Sequence, residues 1–145
     1  MPKFKDPKKL KRYLELAMIE TVKVQLVTAQ AALGSTRISP RDTGRFRSSW
    51  FAAKGNPSDA VAAENTDRPQ TNAKDLAFDL KGDYHLTNSL PYAAAIALGI
   101  NLPPSWGGQN QVKSAPPNWF KDFRDVQMLK IQQQAARYVK KRFQL

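Results

Sequence analysis

Between Asp6-Pro7 and Gly34, apolar side chains return at helical spacing: Leu10, Leu14, Met18, Val22, Leu26, Ala29 and Leu33. Nothing else constrains the fold as much, because a helix with such a stripe must set it against another element. Asp6 suits a cap for the free N–H groups, Pro7 loses nothing at the first helical position, and Gly34 supplies the stop. The reading is a long amphipathic helix over about 7–33. At the far end, "NWFKDFRDVQMLKIQQQAARYVKKRF" reads as a second long helix. Phe120, Phe123, Ile131, Ala135 and Tyr138 form its stripe, and Gln127 interrupts it.

The intervening chain reads as short pieces. "TGRFRSSWFAAKG" predicts one turn opened by Asp42, then a strand through Trp50 and Phe51. "NPSDAVAAENTDRPQTN" is polar and short of large apolar residues, which predicts a mobile excursion. "AKDLAFDL" suits a short helix with Leu76, Phe78 and Leu80 partly buried. "DYHLTNS" alternates like a strand, and "LPYAAAIALG" starts with Pro and ends with Gly, as a short helix would. "INLPPSWGGQNQVKSAPP" reads as an irregular loop. The expected fold class is α+β, with long N-terminal and C-terminal helices packed on a small, mainly antiparallel β-sheet. A length of 145 residues suits one domain over 1–145, with a basic N-terminal arm at 1–6 and a mobile insertion around 54–73.

The net charge of +11 is unevenly spread. Residues 1–12 hold six Lys/Arg against Asp6, and residues 121–145 hold seven against two acids. Residues 37–47 add four Arg against Asp42, while residues 54–85 carry six acids against four bases. Basic ends around a mildly acidic middle suit a polyanion, DNA above all. The same charges would equally serve a solvated face that keeps the protein dispersed. Lys8, Lys9, Lys11 and Arg12 sit near the positive end of the first helix, where cations are disfavoured, which hints at a partner.

Catalytic readings find little material. The absence of cysteine excludes disulfides and thiolate metal sites, and the single His85 cannot build a histidine cluster. No metal or other cofactor is expected. Asp75, Asp79 and Asp83 recur every four residues, so a helix would align them, but solvation explains the spacing as well as catalysis does. Ser48 and Ser49 have no histidine in register, and the glycines match no phosphate loop. No stretch approaches the length of a membrane span, and the basic start leads into no continuous apolar run. The expectation is a protein made in a cytoplasm with no membrane partner. For nucleic acid, Arg41, Arg45 and Arg47 suit phosphates while Trp50 and Phe51 suit base stacking. The opposing reading pairs those arginines with carboxylates and puts both aromatics in the core.

Three phrases taken in order, "SPRDTGRFRSSW", "GDYHLTNSLPYAAAIALG" and "VKSAPPNWF", resemble the tail-completion family of head–tail neck proteins of long-tailed double-stranded-DNA bacteriophages. The order covers nearly the whole chain, and the recognisable residues about a third of it. Asp42, Thr43, Gly44, Arg45 and Arg47 match the family's first phrase, with Phe46 at its usual Leu. Thr87, Asn88, Leu90, Pro91, Tyr92 and Ala93 match the second, and Ala115 and Pro116 the third. Two places depart from the pattern: Ala97 stands where a Glu is common, and Pro117 and Asn118 follow where a glycine is expected.

The resemblance implies a non-enzymatic structural virion protein at the head–tail junction, made in the host cytoplasm. Its copies would form a homo-oligomeric ring, a hexamer by family habit, joining the tail tube to the head connector and letting DNA pass. Lys3, Lys5, Lys8, Lys9, Lys11 and Arg12 are then the candidates for contact with DNA or with a neck neighbour. The alternative reading is a small basic DNA-binding protein of regulatory or packaging type. An enzyme acting on DNA through Asp75, Asp79 or Asp83 is a third, with least in its favour.

Overall fold

Asp6 caps the first helix as its sequence suggests: its side chain accepts from the Lys8 backbone N–H at 2.9 Å in the computed structural model. The structure describes residues 1–35, 44–98 and 119–145. Helix α1 (Pro7–Leu33) runs 27 residues, about 40 Å at 1.5 Å per residue. It ends where the Gly34 N–H donates to the Gln30 carbonyl at 3.0 Å.

The stripe expected on α1 is only half right. Ala29 and Leu33 are buried, but so are Ala17 and Gln30, while Leu14 and Met18 are 38% and 58% exposed. Apolar residues lie around most of this helix, so the periodicity alone does not say which face is covered. Ala17 lies between Tyr13 and Glu20, both of which contact the C-terminal end of the chain. By length and composition α1 is also long and apolar enough to cross a membrane, with a mean hydropathy of 1.2 over its best window. That corrects the expectation that no stretch reaches span length. Its buried Gln30 nonetheless belongs to a polar network at the sheet.

A turn follows, closed by Ser48 N–H to Gly44 O at 3.1 Å and Ser49 N–H to Phe46 O at 3.1 Å. It delivers the chain into β1 (Trp50–Lys54), which pairs antiparallel with β2 (Tyr84–Asn88). The register sets Trp50 opposite Asn88, Ala52 opposite Leu86 and Lys54 opposite Tyr84. Between the strands the excursion expected to be mobile is tied to the body at several points. Thr87 Oγ1 and Ser89 Oγ each donate to Ser58 O at 2.9 Å, and Arg45 Nε donates to Ala62 O at 2.9 Å. The helix expected in "AKDLAFDL" shrinks to a 3-10 turn, Asn72–Asp75. Leu76, at its end, is already extended, so Asp75, Asp79 and Asp83 never share a helical face.

Pro91 leads from a turn into α2 (Ala93–Leu98), with Ala93 N–H donating to Leu90 O at 3.0 Å. The last helical stretch comprises α3 (Trp119–Asp122), a π-helical turn (Phe123–Gln127) and α4 (Met128–Arg142). The π turn inserts one residue into the repeat, which rotates every later side chain around the axis. Trp119 and Phe123 are buried ahead of the shift, and Ile131, Ala135 and Val139 are the residues it brings to the buried side. Tyr138, expected on the stripe, is 50% exposed. Gln127 falls where the register shifts, which accounts for its interruption of the apolar pattern.

The core joins residues far apart in the chain: Ala29 and Leu33, Phe46 and Trp50, Leu90 and Ala93, then Trp119, Phe123 and Ile131. Phe46 meets the rings of Trp50 and Trp119 edge-on, each at 5.8 Å between centroids. Full burial of such a side chain contributes about 1.5–3 kcal/mol from its apolar area. The described residues form an α+β fold, with the two terminal helices packed against each other and against a small antiparallel sheet.

Candidate functional site

The first and second phrases, some forty residues apart in sequence, meet in space. Asn88 Nδ2 donates to Phe46 O at 2.8 Å, while Asn88 Oδ1 accepts from Leu90 N–H at 3.3 Å. One amide side chain therefore fastens the turn of the first phrase to the turn of the second. Gly44 takes a φ of +90°, and a Cβ there would lie 2.1 Å from Asp67 Oδ1. Leu90 and Ala93 enter the core, Tyr92 packs against it, and Pro91 stays exposed at the helix entry. Asp42, Thr43, Ala115 and Pro116 lie outside the described residues, as does Arg41.

The arginines of the first phrase are engaged within the protein. Arg47 Nε donates to Asp67 Oδ1 at 2.7 Å, its Nη2 lies 2.6 Å from the same oxygen, and its Nη1 donates to Gly34 O at 2.6 Å. Arg45 holds the excursion through Ala62. Trp50 is only 6% exposed and Phe51 half-buried, so Trp50 offers no surface to a base. Of the two readings open at these residues, the geometry favours the fold-building one.

The basic ends, by contrast, converge. Tyr13 Oη donates to the Phe143 carbonyl, and the two rings lie 5.3 Å apart. Phe4 packs on Tyr13 at 5.1 Å, and Arg142 Nη1 meets Glu20 Oε1 at 2.7 Å. The start of α1 and the end of α4 thus form one pole of the molecule. Lys3, Lys5, Lys8, Lys9, Lys11 and Arg12 stand exposed there beside Lys140, Lys141 and Arg142. The last three lie in the final turn of α4, where the helix dipole favours cations. This pole is the strongest candidate for contact with a polyanion or an acidic protein surface.

No described constellation suits covalent or acid–base chemistry. Ser48 and Ser49 are fully buried, and the Ser49 hydroxyl is taken up between Arg45 O and Ala62 N–H. His85 Nε2 donates to Gly55 O at 2.9 Å. Among the described residues no three His, Asp or Glu side chains are grouped to hold a metal ion. Asp79 bonds Lys54 at 2.5 Å and accepts from the Lys81 and Gly82 N–H groups. The Lys54 hydrogen bond, then that of the Lys81 backbone, holds the Asp79 carboxyl below its ordinary range, and Asp79 raises Lys54 in turn. The pair's stabilisation is lost on the acid side as pH falls through the lowered Asp79 value, and on the alkaline side as it rises through the raised Lys54 value. Both groups meet water, so the effect on stability is small.

Sequence reasoning missed three residues that hold this region together: Gln30, Asp67 and Asn72. Gln30 and Asn72 sit in segments that read as helix surface and polar loop, and only their placement at the sheet gives them a role. Comparison with family models, with curated proteins and with solved structures finds no match to this chain.

Proposed function

We propose that this chain is a structural protein of the bacteriophage neck, whose copies assemble into a ring between the tail tube and the head connector. The observation that carries the reading is the Asn88 link between the two family-like phrases. Residues that resemble a family motif are spent on mutual fastening and core packing, which suits a building block. The basic pole supplies one outward surface, and the mildly acidic stretch 54–85 supplies another of opposite sign. A head-to-tail ring requires two such different, complementary surfaces on each subunit. Basic side chains facing a central passage would screen phosphates collectively without reading bases.

Purified protein mixed with tail tubes and with connectors from the source phage, viewed by electron microscopy, tests this. Rings capping tube ends are expected. Protein that decorates neither particle would remove the proposal's support. The basic pole also favours a second reading, a small DNA-binding protein. Tight, salt-steep retention of duplex DNA by free protein that ignores tubes and connectors would select it.

A further inference from the structure

The two edges of the sheet are treated differently. Ala52 N–H donates to Asn72 Oδ1 at 3.0 Å, and Asn72 Nδ2 donates to Ala52 O at 2.8 Å. Trp50 O accepts from Gln30 Nε2 at 3.0 Å. These groups point away from β2, so side-chain amides occupy the outer edge of β1. The ladder alternates, and Gly55 N–H to Asp83 O at 2.7 Å continues it past the strand ends. The bonded pairs are therefore Phe51 with Thr87 and Ala53 with His85, and the N–H and C=O groups of Tyr84, Leu86 and Asn88 face outward. No hydrogen bond among the described residues reaches those backbone groups.

An open edge invites another strand, and proteins usually guard one with lysine, proline or a bulge. β2 has none of these: YHLTN carries no Lys, Arg, Asp, Glu or Pro in a chain of net charge +11. Tyr84 and Leu86 also line an apolar groove of about 460 Å³, shared with Val22, Leu26, Phe123 and Met128.

We infer that the occupant of this edge is the β2 strand of a second copy, paired antiparallel about a twofold axis at Leu86. That register is the one that engages all three outward residues: Leu86 faces Leu86, and Tyr84 faces Asn88 in both directions. Asp83 then falls opposite Ser89, so no like charges meet across the axis. Tyr84 and Leu86 of the added strand lie against the groove. The product is a four-stranded sheet whose two outer edges are both β1, each already occupied by Asn72 and Gln30. Pairing therefore stops at two copies. The inference does not depend on the neck reading, because a twofold contact differs from the head-to-tail contacts of a ring.

Sedimentation equilibrium of the purified chain should show a reversible monomer–dimer system. Leu86→Pro removes only an outward N–H, since Leu86 bonds nothing inside the sheet, and edge strands tolerate such a proline. It should weaken the dimer at least tenfold with the far-UV circular dichroism retained. Should that variant fold poorly, Leu86→Cys gives an independent reading. It is the only thiol in the chain, and Cα atoms of such a pair lie about 5.5 Å apart, within disulfide reach. Mild oxidation should convert it to a covalent dimer. A chain that stays monomeric at high concentration, with no cross-linked Leu86→Cys, overturns the inference. So does a dimer indifferent to Leu86→Pro, or Leu86 amide exchange that is equally slow at every concentration. The last result would mean that the edge is covered within one copy.

Discussion

Adjacent serines show how far burial alone is from meaning. Ser48 and Ser49 are both fully buried, yet Ser49 Oγ donates to Arg45 O at 2.7 Å and accepts from Ala62 N–H at 3.0 Å, while Ser48 Oγ has no described partner. An unsatisfied buried hydroxyl costs stability, and removing it returns some. Ser48→Ala should therefore be neutral or stabilising by up to about 1 kcal/mol, and Ser49→Ala should cost about 1–2 kcal/mol. Urea midpoints of the two variants, compared at equal slope, decide this; equal losses would mean that Ser48 has a partner after all. Gly44 is the opposite case, a residue whose role was legible in the sequence. Its φ of +90° and the 2.1 Å approach of Asp67 to any Cβ leave no room for a side chain. Gly44→Val should cost at least about 2 kcal/mol and loosen the Arg47–Asp67 pair. A soluble variant with an unchanged urea midpoint would show that the turn adapts.

At the scale of elements, the long helices, both strands and α2 were readable, while the helix expected in "AKDLAFDL" and the side chains that close the sheet were not, for a physical reason. Helix α1 carries its own cap and stop, and both α1 and α4 carry apolar periodicity, all local signals. The shift at the π turn was visible only as a polar residue at Gln127, because one inserted residue leaves composition untouched. Closure of the sheet depends on side chains arriving from elsewhere, and local pattern cannot announce them. Asn72 stands in for a neighbouring strand at Ala52, and Gln30 links it to α1 through Asn72 Oδ1 at 2.8 Å and Ala73 N–H at 2.9 Å. Asn72→Ala would strand both backbone groups of Ala52, costing about 1–3 kcal/mol. It would also open the second edge, so light scattering should reveal species larger than a dimer. A variant that loses stability yet never grows beyond two copies would mean that something other than Asn72 keeps β1 from pairing.

For the whole molecule, the decisive step is that α1 and α4 pack so that two basic tails form one pole. Sequence gave each tail its charge, but their meeting depends on the Tyr13–Phe143 contact and on the Arg142–Glu20 pair. Replacing Lys3, Lys5, Lys8 and Lys9 together by Gln tests what that pole meets. All four are exposed, so folding stability should change by no more than about 0.5 kcal/mol per site. Against duplex DNA, four lost phosphate contacts would reduce the slope of log affinity on log salt by about 3 to 4. Against an acidic surface of a neck neighbour, docking would fail while DNA retention stayed as before. We expect the second pattern. If the protein forms the proposed ring, a passage that gripped DNA through many cations would slow its exit, whereas the same charges facing an acidic neighbour would not. Filter retention over a salt series and tube-end decoration, measured on one quadruple variant, separate the two patterns. A variant unchanged in both would leave the pole as a solvated face that keeps a +11 chain dispersed.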